Sequence, residues 1–242
     1  MDVAVQSLDL RGAAPEHWPR LAALLNEEER ARAGRFAFEE DRQAYIGAHA
    51  LLRAELSRRA GGAPQDWRFA AAERGKPFLV DPPQDLRFSM THTRGMVAVA
   101  LAEGVEIGVD VEPAHRRAES MKLAERFFAP EEAALLRALE GEARRDAFFA
   151  IWTLKEAVVK ATGEGLSRPL NSFVISLDPP GVTMRDVAAG DDWRLAHWRR
   201  GAHHFALAGR CADWRPSLSE TNIATLLGEP VALSPGAATG LG

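Results

Sequence analysis

The chain has 242 residues, of which 46% are hydrophobic and 26% charged, and this ordinary globular composition suits one large domain or two halves of roughly 120 residues each. A formal net charge of −4 at pH 7 excludes a strongly basic, dedicated nucleic-acid binder. The single cysteine, Cys211, excludes an intrachain disulfide and favours a reducing compartment.

The first part of the chain, residues 1–104, combines short strands with helices. Its N-terminus has no basic region followed by an apolar run, so no signal peptide is predicted. The longest apolar run, 96–102, is too short to cross a bilayer, which takes about 20 residues, and we therefore expect a cytoplasmic protein that does not enter the membrane. Strands are predicted over 1–10, 67–71, 86–90 and 96–102, and helices over 19–33 and 36–59.

The second part of the chain is richer in helix. Helices are predicted over 118–128, 130–140 and 145–162, and strands over 105–112, 173–177, 193–198 and 205–208. Because each part contains a long helix and several strands, we predict an α+β architecture of two related halves. The predicted divisions are an N-terminal half at 1–104, a C-terminal half at 105–216, and a tail at 217–242 that is poorly ordered at its end.

Two carboxylates share one face of the predicted strand at 105–112. Successive side chains of a strand point to opposite faces, so Asp110 and Glu112 project together with Cα atoms about 6.6 Å apart. Such a pair can hold one hard cation, and Gly108 leaves room beside it. Magnesium suits this set because it prefers oxygen ligands and keeps positions for waters and substrate phosphates. The alternative is a solvated face of an antiparallel sheet.

Charged residues also occupy the apolar face of the predicted helix at 145–162. Lys155 lies near the middle of the apolar arc, Glu156 lies on it, and Lys160 lies at its edge. Burying such groups costs several kcal/mol unless they are paired or bound to a metal. The alternatives are a buried structural salt bridge, lysines that snorkel past the apolar face, and an exposed pair of Glu156 with Lys160.

Groups suited to phosphate are found in the first half. Arg32 and Arg35 lie in a basic segment, Lys76 sits in a Gly-Lys-Pro turn, and Thr91-His92 stands at a strand end. Guanidinium, ammonium, hydroxyl and imidazole groups all bind phosphate oxygens. None of them is specific alone, because arginines on a helix usually form a solvated face and a loop histidine usually stabilises a turn.

These motifs belong to segments whose order along the chain is informative. The segments are ERARAGRFAFEEDRQAYIGAHALLR, GKPFL, FSMTHTRG, IGVDVEP, RFFAPEEAALL and FFAIWTLKEAVVKATGEGLSRPL. Together they resemble the Sfp-type (surfactin-type) 4′-phosphopantetheinyl transferases over roughly residues 20–176. The resemblance implies two similar α+β halves about a pseudo-twofold axis, with coenzyme A in the cleft. It also implies a monomeric enzyme that transfers the 4′-phosphopantetheine arm of coenzyme A to a serine of an acyl, peptidyl or aryl carrier protein and releases 3′,5′-ADP.

The resemblance places the chemistry in the second half. Asp110, Glu112 and Glu156 match the three acidic metal ligands of the family, which implies a magnesium cofactor. Lys155 and Lys160 match the two lysines of its W-x-x-K-E-A-x-x-K helix, and both are expected to be catalytic. Lys160 is expected near the pyrophosphate.

The contacts to coenzyme A are expected from the first half. Thr91 and His92 match phosphate contacts, and Lys76 matches the lysine near the adenine and phosphate end. Arg32 and Arg35 fall in the segment expected to hold the 3′-phosphate.

The sequence leaves open which residue is the catalytic base, and two positions depart from the family pattern. Glu156 is the favoured catalytic base, but Glu112 and Glu132 also qualify. Thr91 replaces the commoner serine of the family and keeps the hydroxyl, and Glu29 occupies a place that is basic in some relatives.

Three other functions compete with the transferase: a coenzyme A or nucleotide-binding module, a structural protein with a buried ion network, and another metal-dependent phosphotransferase.

Overall fold

The computed structural model describes residues 2–114, 119–185, 192–211 and 213–229. The second half of the predicted tail, 230–242, and with it the expected poor order at its end, therefore lies outside the described residues. In chain order the elements are β1 (Asp2–Asp9), α1 (His17–Ala23), α2 (Glu27–Ala33), α3 (Glu39–Ala60), β2 (Phe69–Ala71), β3 (Pro77–Leu79), β4 (Leu86–Thr93), β5 (Met96–Glu103), β6 (Ile107–Pro113), α4 (Ser120–Phe127), α5 (Pro130–Ala138), α6 (Gly141–Thr162), β7 (Phe173–Leu177), β8 (Pro180–Met184), β9 (Trp193–Arg200), β10 (His203–Arg210), β11 (Arg215–Thr221) and α7 (Ile223–Leu226).

The predicted helix over 19–33 is two helices, α1 and α2, because a capping box starts the second. The Asn26 side chain accepts a hydrogen bond from the Glu29 N–H, and the Glu29 carboxylate accepts one from the Asn26 N–H. These bonds satisfy two donors that the first turn of α2 would leave unpaired.

The first half is an antiparallel arrangement of β1, β5 and β4, against which the 22-residue helix α3 packs. Its outer edge is β11, which pairs in parallel with β1 from Asp2 with Arg215 to Leu8 with Thr221. This strand was not predicted, because RPSLSET is largely exposed and carries little apolar alternation. The predicted division between residues 216 and 217 cuts through it, so the chain returns to the first half before its end.

The second half also combines antiparallel strands with one long helix. Its sheet has the order β6-β10-β9 and is antiparallel throughout, and the 22-residue helix α6 packs against β6 and β10. Each half is therefore one long helix on antiparallel strands, and the predicted α+β class is confirmed. No helix within the described ranges has the length and apolar character needed to cross a membrane.

An apolar cluster joins the two sheets. The second sheet contributes Ile107, Val109 and Val111 from one face of β6, together with Phe205 and Leu207. The first sheet contributes side chains of β1 and β5. Burial of each large apolar side chain stabilises the fold by about 1.5–3 kcal/mol. The opposite face of β6, which carries the carboxylates, is thereby turned toward α6.

Candidate functional site

A cleft of about 1040 Å³ lies where elements of both halves meet. Its walls come from β4 and the turn before β3 in the first half, and from β6, α6 and the segment after α6 in the second half. This volume is of the size that holds a cofactor or a drug-sized ligand. The residues predicted from sequence that line it are Lys76, Thr91, His92, Asp110, Glu112, Glu156 and Lys160.

Gly108 explains how β6 and α6 come so close at this cleft. A Cβ atom on Gly108 would lie 1.9 Å from the Ala157 carbonyl oxygen and 2.5 Å from the Ala161 nitrogen. Only glycine permits this approach of two backbones. The space that the sequence analysis gives to a cation beside Gly108 is thus filled by the helix backbone. Because Gly108 and Asp110 share one face of the strand, the approach also brings Lys160 to Asp110.

The Asp110 carboxylate is buried and is held through one of its oxygens. Its Oδ1 accepts a hydrogen bond from Thr91 Oγ1 at 3.0 Å and one from Lys160 Nζ at 2.7 Å. Lys160 Nζ also donates to the Val109 carbonyl at 3.2 Å. Asp110 Oδ2 is buried and has no hydrogen-bond partner among the residues that the structure describes. One oxygen of Asp110 is therefore available to a ligand.

Glu156 is half-buried on the same cleft wall. Burial is the largest cause that raises the pKa of Glu156, the charge of Asp110 raises it further, and Lys160 opposes the shift. A raised pKa brings a carboxylate closer to the pH range in which a general base works best. The electrostatic conflict between Glu156 and Asp110 is also one that a bound cation would relieve.

The donor chemistry of the cleft carboxylates determines which kind of metal ion they could hold. Within residues 2–114, 119–185, 192–211 and 213–229, no three His, Cys, Asp or Glu side chains form a ready cluster for a metal ion. Magnesium does not need one, since it is usually bound through one or two carboxylates with waters and substrate phosphates. The oxygen-only set of Asp110, Glu112 and Glu156, with Asp110 Oδ2 buried and unsatisfied, fits a hard cation of this kind.

Lys76 lines the cleft and connects the first half to α6 through its side chain. Its ammonium group pairs with the Glu106 carboxylate and donates to the Ala161 carbonyl at 3.2 Å. Ala161 lies in the last turn of α6, where a positive charge is favourable to the helix dipole. A Cβ atom on Gly163 would lie 3.1 Å from the Lys76 side chain, so glycine at the end of the helix leaves room for the Lys76 side chain.

Lys155 does not line the cleft, in contrast to its neighbour Glu156. Its fully buried Nζ lies 2.9 Å from a Glu132 oxygen, 2.7 Å from the Leu170 carbonyl and 2.8 Å from the Phe173 carbonyl. An ammonium group has three donors, and these partners use all of them. Burial lowers the pKa of Lys155 to about 8, while Glu132 opposes the shift. This placement is that of an internal anchor and gives no support to a catalytic role.

Glu132, an alternative base in the sequence analysis, belongs to the same anchor. One of its oxygens accepts the Ala129 N–H at 2.8 Å, and the other accepts the Ile175 N–H at 2.7 Å in addition to the Lys155 bond. Glu132 is buried and does not line the cleft, so it has no access to a substrate hydroxyl there.

Arg32 and Arg35 likewise lie outside the residues that line the cleft. Both side chains are exposed on or just after α2, and the Arg32 guanidinium lies 5.5 Å from the centroid of the Tyr45 ring. Glu29, which departs from the basic pattern of some relatives, pairs with the fully buried Arg53 at 2.7 Å. The acidic residue is therefore needed inside the first half to compensate an internal guanidinium.

Several cleft residues were missed by the sequence analysis. Ser89 accepts a hydrogen bond from the Val109 N–H at 3.0 Å and so joins β4 to β6. Arg168, only 9% exposed, pairs with Glu164 at 2.6 Å and lines the cleft together with the apolar Phe127. The alternation of hydroxyl residues in FSMTHT, at positions 89 and 91, was the available signal for Ser89, because both side chains fall on one face of the strand.

Comparison with known proteins identifies relatives for both halves. The family model described as "4′-phosphopantetheinyl transferase, N-terminal" matches residues 12–104, and the model described as "4′-phosphopantetheinyl transferase superfamily" matches residues 106–217. A putative 4′-phosphopantetheinyl transferase of Synechocystis sp. is 39% identical over 75% of this chain and 72% of its own length. The 4′-phosphopantetheinyl transferase Sfp of Bacillus subtilis is 32% identical over 71% of this chain and 75% of its own length.

A solved structure is also similar to part of the chain. It is a holo-(acyl-carrier-protein) synthase from Bacillus anthracis in complex with CoA (3′,5′-ADP). The match has 20% sequence identity and a TM-score of 0.37, and it covers 43% of this chain and 95% of that one.

Proposed function

This chain belongs to the 4′-phosphopantetheinyl transferase superfamily, and on that premise we propose that the cleft between its halves is the active site. The enzyme transfers the 4′-phosphopantetheine arm of coenzyme A to a serine hydroxyl of a carrier protein and releases 3′,5′-ADP. The convergence of Asp110, Glu112, Glu156 and Lys160 on one cleft is the observation that carries the assignment.

We assign Asp110, Glu112 and Glu156 as the residues that hold a magnesium ion. When bound, the ion would neutralise negative charge on the phosphates as the transferred phosphoryl group changes partners. The oxygen-only donor set and the unsatisfied Asp110 Oδ2 support this assignment. The same Oδ2 lies on the side of the carboxylate that neither Thr91 nor Lys160 uses.

The transfer exchanges one P–O bond for another. The serine oxygen of the carrier attacks the phosphorus that bears the pantetheine arm, and the bond from that phosphorus to the bridging oxygen of the pyrophosphate breaks. Glu156 accepts the hydroxyl proton, a role supported by its raised pKa and its place on the cleft wall. Lys160, beside Asp110, stabilises the charge that develops on the leaving 3′,5′-ADP.

The remaining residues of the site orient the phosphates. We propose Lys76 and His92 as coenzyme A contacts, because an ammonium and an imidazole line the cleft from the first half. Arg32 and Arg35 are left out of the proposed site, because they lie elsewhere on the surface of the first half.

We further propose that the carrier is an acyl, peptidyl or aryl carrier protein and that the enzyme works as a cytoplasmic monomer. Both walls of the cleft come from one chain, which supports a monomer. The single, buried Cys211 suits a reducing compartment.

The test combines the protein, coenzyme A, magnesium and an apo-carrier protein, and intact mass measures the addition of one phosphopantetheine arm. We expect addition with the unaltered chain and none with Asp110→Ala. This change leaves the apolar face of β6 untouched but removes the counter-charge of Lys160, so circular dichroism checks that the variant is folded. Asp146→Ala is the matched control, since Asp146 lies on α6 away from the cleft and pairs with Arg199. Normal transfer by Asp110→Ala would disprove the metal assignment, and no transfer by the unaltered chain to any carrier class would disprove the function.

A further inference from the structure

Lys160 of α6 is the counter-charge of Asp110 on the wall of the cleft. Its Nζ lies 2.7 Å from Asp110 Oδ1 and also donates to the Val109 carbonyl at 3.2 Å. Burial raises the pKa of Glu156 and lowers the pKa of His92, and the charge of Lys160 opposes the first shift and adds to the second. The ammonium group of Lys160 therefore acts on charged and titratable groups of both halves.

The two members of the Asp110–Lys160 pair differ in how far they can move. The Asp110 side chain is short and only 7% exposed, whereas the Lys160 side chain is 30% exposed and carries its charge on a long, flexible stem. An ammonium group can turn its N–H donors to any acceptor within reach. Lys160 can therefore shift toward another anion in the cleft while the Asp110 carboxylate stays in place.

A cation alone would disturb the compensation of this pair. Held by Asp110, the cation would share that carboxylate with the Lys160 ammonium group, and like charges so close repel each other even at the effective dielectric constant of a protein surface. Lys160 would have to withdraw from Asp110 and from its bond to the Val109 carbonyl. Binding of a cation without a second ligand is therefore opposed by Lys160.

Coenzyme A alone would leave the opposite charge uncompensated. The proposed function places Lys160 at the pyrophosphate, whose oxygens accept charge-assisted hydrogen bonds. A lysine drawn to the pyrophosphate leaves the buried Asp110 carboxylate without its counter-charge, which is unfavourable in a region of low dielectric. With both ligands bound, the cation compensates Asp110 and Lys160 compensates the pyrophosphate, so neither penalty remains.

We propose that Lys160 exchanges Asp110 for the pyrophosphate when coenzyme A binds, and that this exchange makes the binding of the cation and of coenzyme A cooperative. The inference deepens the proposed function and rests on its assignment of the cation to Asp110, Glu112 and Glu156 and of Lys160 to the pyrophosphate. Because linkage is reciprocal, coenzyme A raises the cation affinity by the same factor as the cation raises the coenzyme A affinity.

The first test measures Mn²⁺ affinity without coenzyme A by electron paramagnetic resonance, at about pH 8, where carboxyl groups are ionised. Lys160→Met should tighten Mn²⁺ binding by about tenfold or more, because it removes a competing positive charge from Asp110. Lys160→Arg keeps the charge and should bind Mn²⁺ about as well as the unaltered chain. Unchanged or weaker Mn²⁺ binding in Lys160→Met would overturn the proposal.

The second test measures the cooperativity itself. Calorimetry gives the coenzyme A affinity with and without Mn²⁺, after correction for Mn²⁺ that binds free coenzyme A. Mn²⁺ should strengthen coenzyme A binding to the unaltered chain, and this factor should fall by about tenfold in Lys160→Met, because only the direct attraction between cation and phosphates remains. An equal factor in the two chains would show that Lys160 does not exchange partners.

Lys76→Met is the matched control for the loss of a positive charge from the cleft. Lys76 lines the cleft, but its ammonium group pairs with Glu106 and donates to the Ala161 carbonyl. Its loss should leave the Mn²⁺ affinity and the cooperativity nearly unchanged. If circular dichroism shows that Lys160→Met does not fold, Lys160→Gln, which keeps a donor without the charge, replaces it in both assays with the same expected results.

These binding measurements need no carrier protein, so they separate the cooperativity from the proposed function. A chain that transfers phosphopantetheine but binds Mn²⁺ equally well with and without Lys160 would keep the function and refute the exchange. A chain that shows the expected change in Mn²⁺ affinity and cooperativity but transfers nothing to any carrier class would support the exchange and refute the function.

Discussion

Lys160 Nζ of helix α6 lies 2.7 Å from Asp110 Oδ1 of strand β6, and it also donates to the carbonyl of Val109 in the same strand. The Asp110 side chain is 7% exposed and that of Lys160 30%, so the pair lies at the edge of the interior. Removal of one member of such a pair leaves the other uncompensated in a region of low dielectric. The charges of the cleft therefore depend on one another, and their substitutions are not expected to be additive.

We expect Lys160→Ala to lower the turnover number for transfer much more than it raises the KM for the carrier protein. The ammonium group acts on charge that grows as the pyrophosphate bond breaks, so its loss weakens the transition state more than the bound substrates. Steady-state kinetics with a purified apo-carrier measure both constants. Lys122→Ala, an exposed lysine on α4 whose side chain is 74% exposed, is the control. An unchanged turnover number in Lys160→Ala would refute its role at the pyrophosphate.

Gly108→Ala should destabilise the chain by about 1–3 kcal/mol or more, because the new Cβ atom overlaps the backbone of α6. The Cβ atom would lie 1.9 Å from the Ala157 carbonyl oxygen, and a backbone atom of a packed helix has little freedom to move. The free energy of unfolding in urea measures the loss. Gly12→Ala is the matched control, because a Cβ atom there meets nothing within 4 Å. Equal stability of the two variants would contradict the close approach of β6 and α6.

Lys155→Met should lower the free energy of unfolding by about 3–5 kcal/mol, because it leaves the Glu132 carboxylate buried without its counter-charge. The pair is almost completely buried, with 0% exposure for the lysine side chain and 2% for the glutamate. In the double variant Lys155→Met with Glu132→Gln no charge is stranded, so part of the stability should return. The rest stays lost, because the glutamine amide nitrogen cannot accept a backbone N–H as the second Glu132 oxygen does, and the Leu170 and Phe173 carbonyls lose their donor.

The same variants separate an internal anchor from a catalytic lysine. If Lys155 only supports the fold, the double variant should also recover transfer activity at a temperature where it is folded. A double variant that is stable but inactive would instead support the catalytic role that the family resemblance implies.

Acid should destabilise the chain through His204 between pH 6.5 and about 4. Burial lowers the pKa of His204 to about 4, against the opposing charge of Asp146, so the folded state keeps the imidazole neutral. Below pH 6.5 the unfolded chain binds a proton that the folded chain does not, and stability therefore rises with pH across this window. One such group contributes a slope of at most about 1.4 kcal/mol per pH unit.

The measurement is the free energy of unfolding as a function of pH for the unaltered chain and for His204→Phe. The phenylalanine keeps the stacking on Phe149, whose ring centroid lies 6.0 Å from that of His204, and cannot be protonated. We expect a shallower slope in the variant between pH 6.5 and 4. Identical slopes would show that His204 does not cause the acid sensitivity.

Much of the local structure and the family could be predicted from the sequence. The family resemblance is confirmed by the models that match both halves, and the α+β class is confirmed by the fold. Both long helices and the alternation of β6 were also predicted, because the periodicity of apolar residues along the sequence indicates helices and strands. The break at Asn26 was not predicted, although Asn26 and Glu29 have the spacing of a capping box. The strand β11 was not predicted either, because an exposed edge strand carries no apolar pattern.

The candidate site contains contacts that the pattern of neighbouring residues does not predict. Side-chain periodicity alone predicts that Asp110 and Glu112 share one face of a strand and that Lys155 and Glu156 lie on the apolar side of a helix. The packing of the elements places Glu156 on the cleft wall, pairs the buried Lys155 with Glu132, and brings the Thr91 hydroxyl to Asp110. The reason is that periodicity fixes the direction of a side chain relative to its own strand or helix, whereas its partner is set by the packing of elements far apart in the chain.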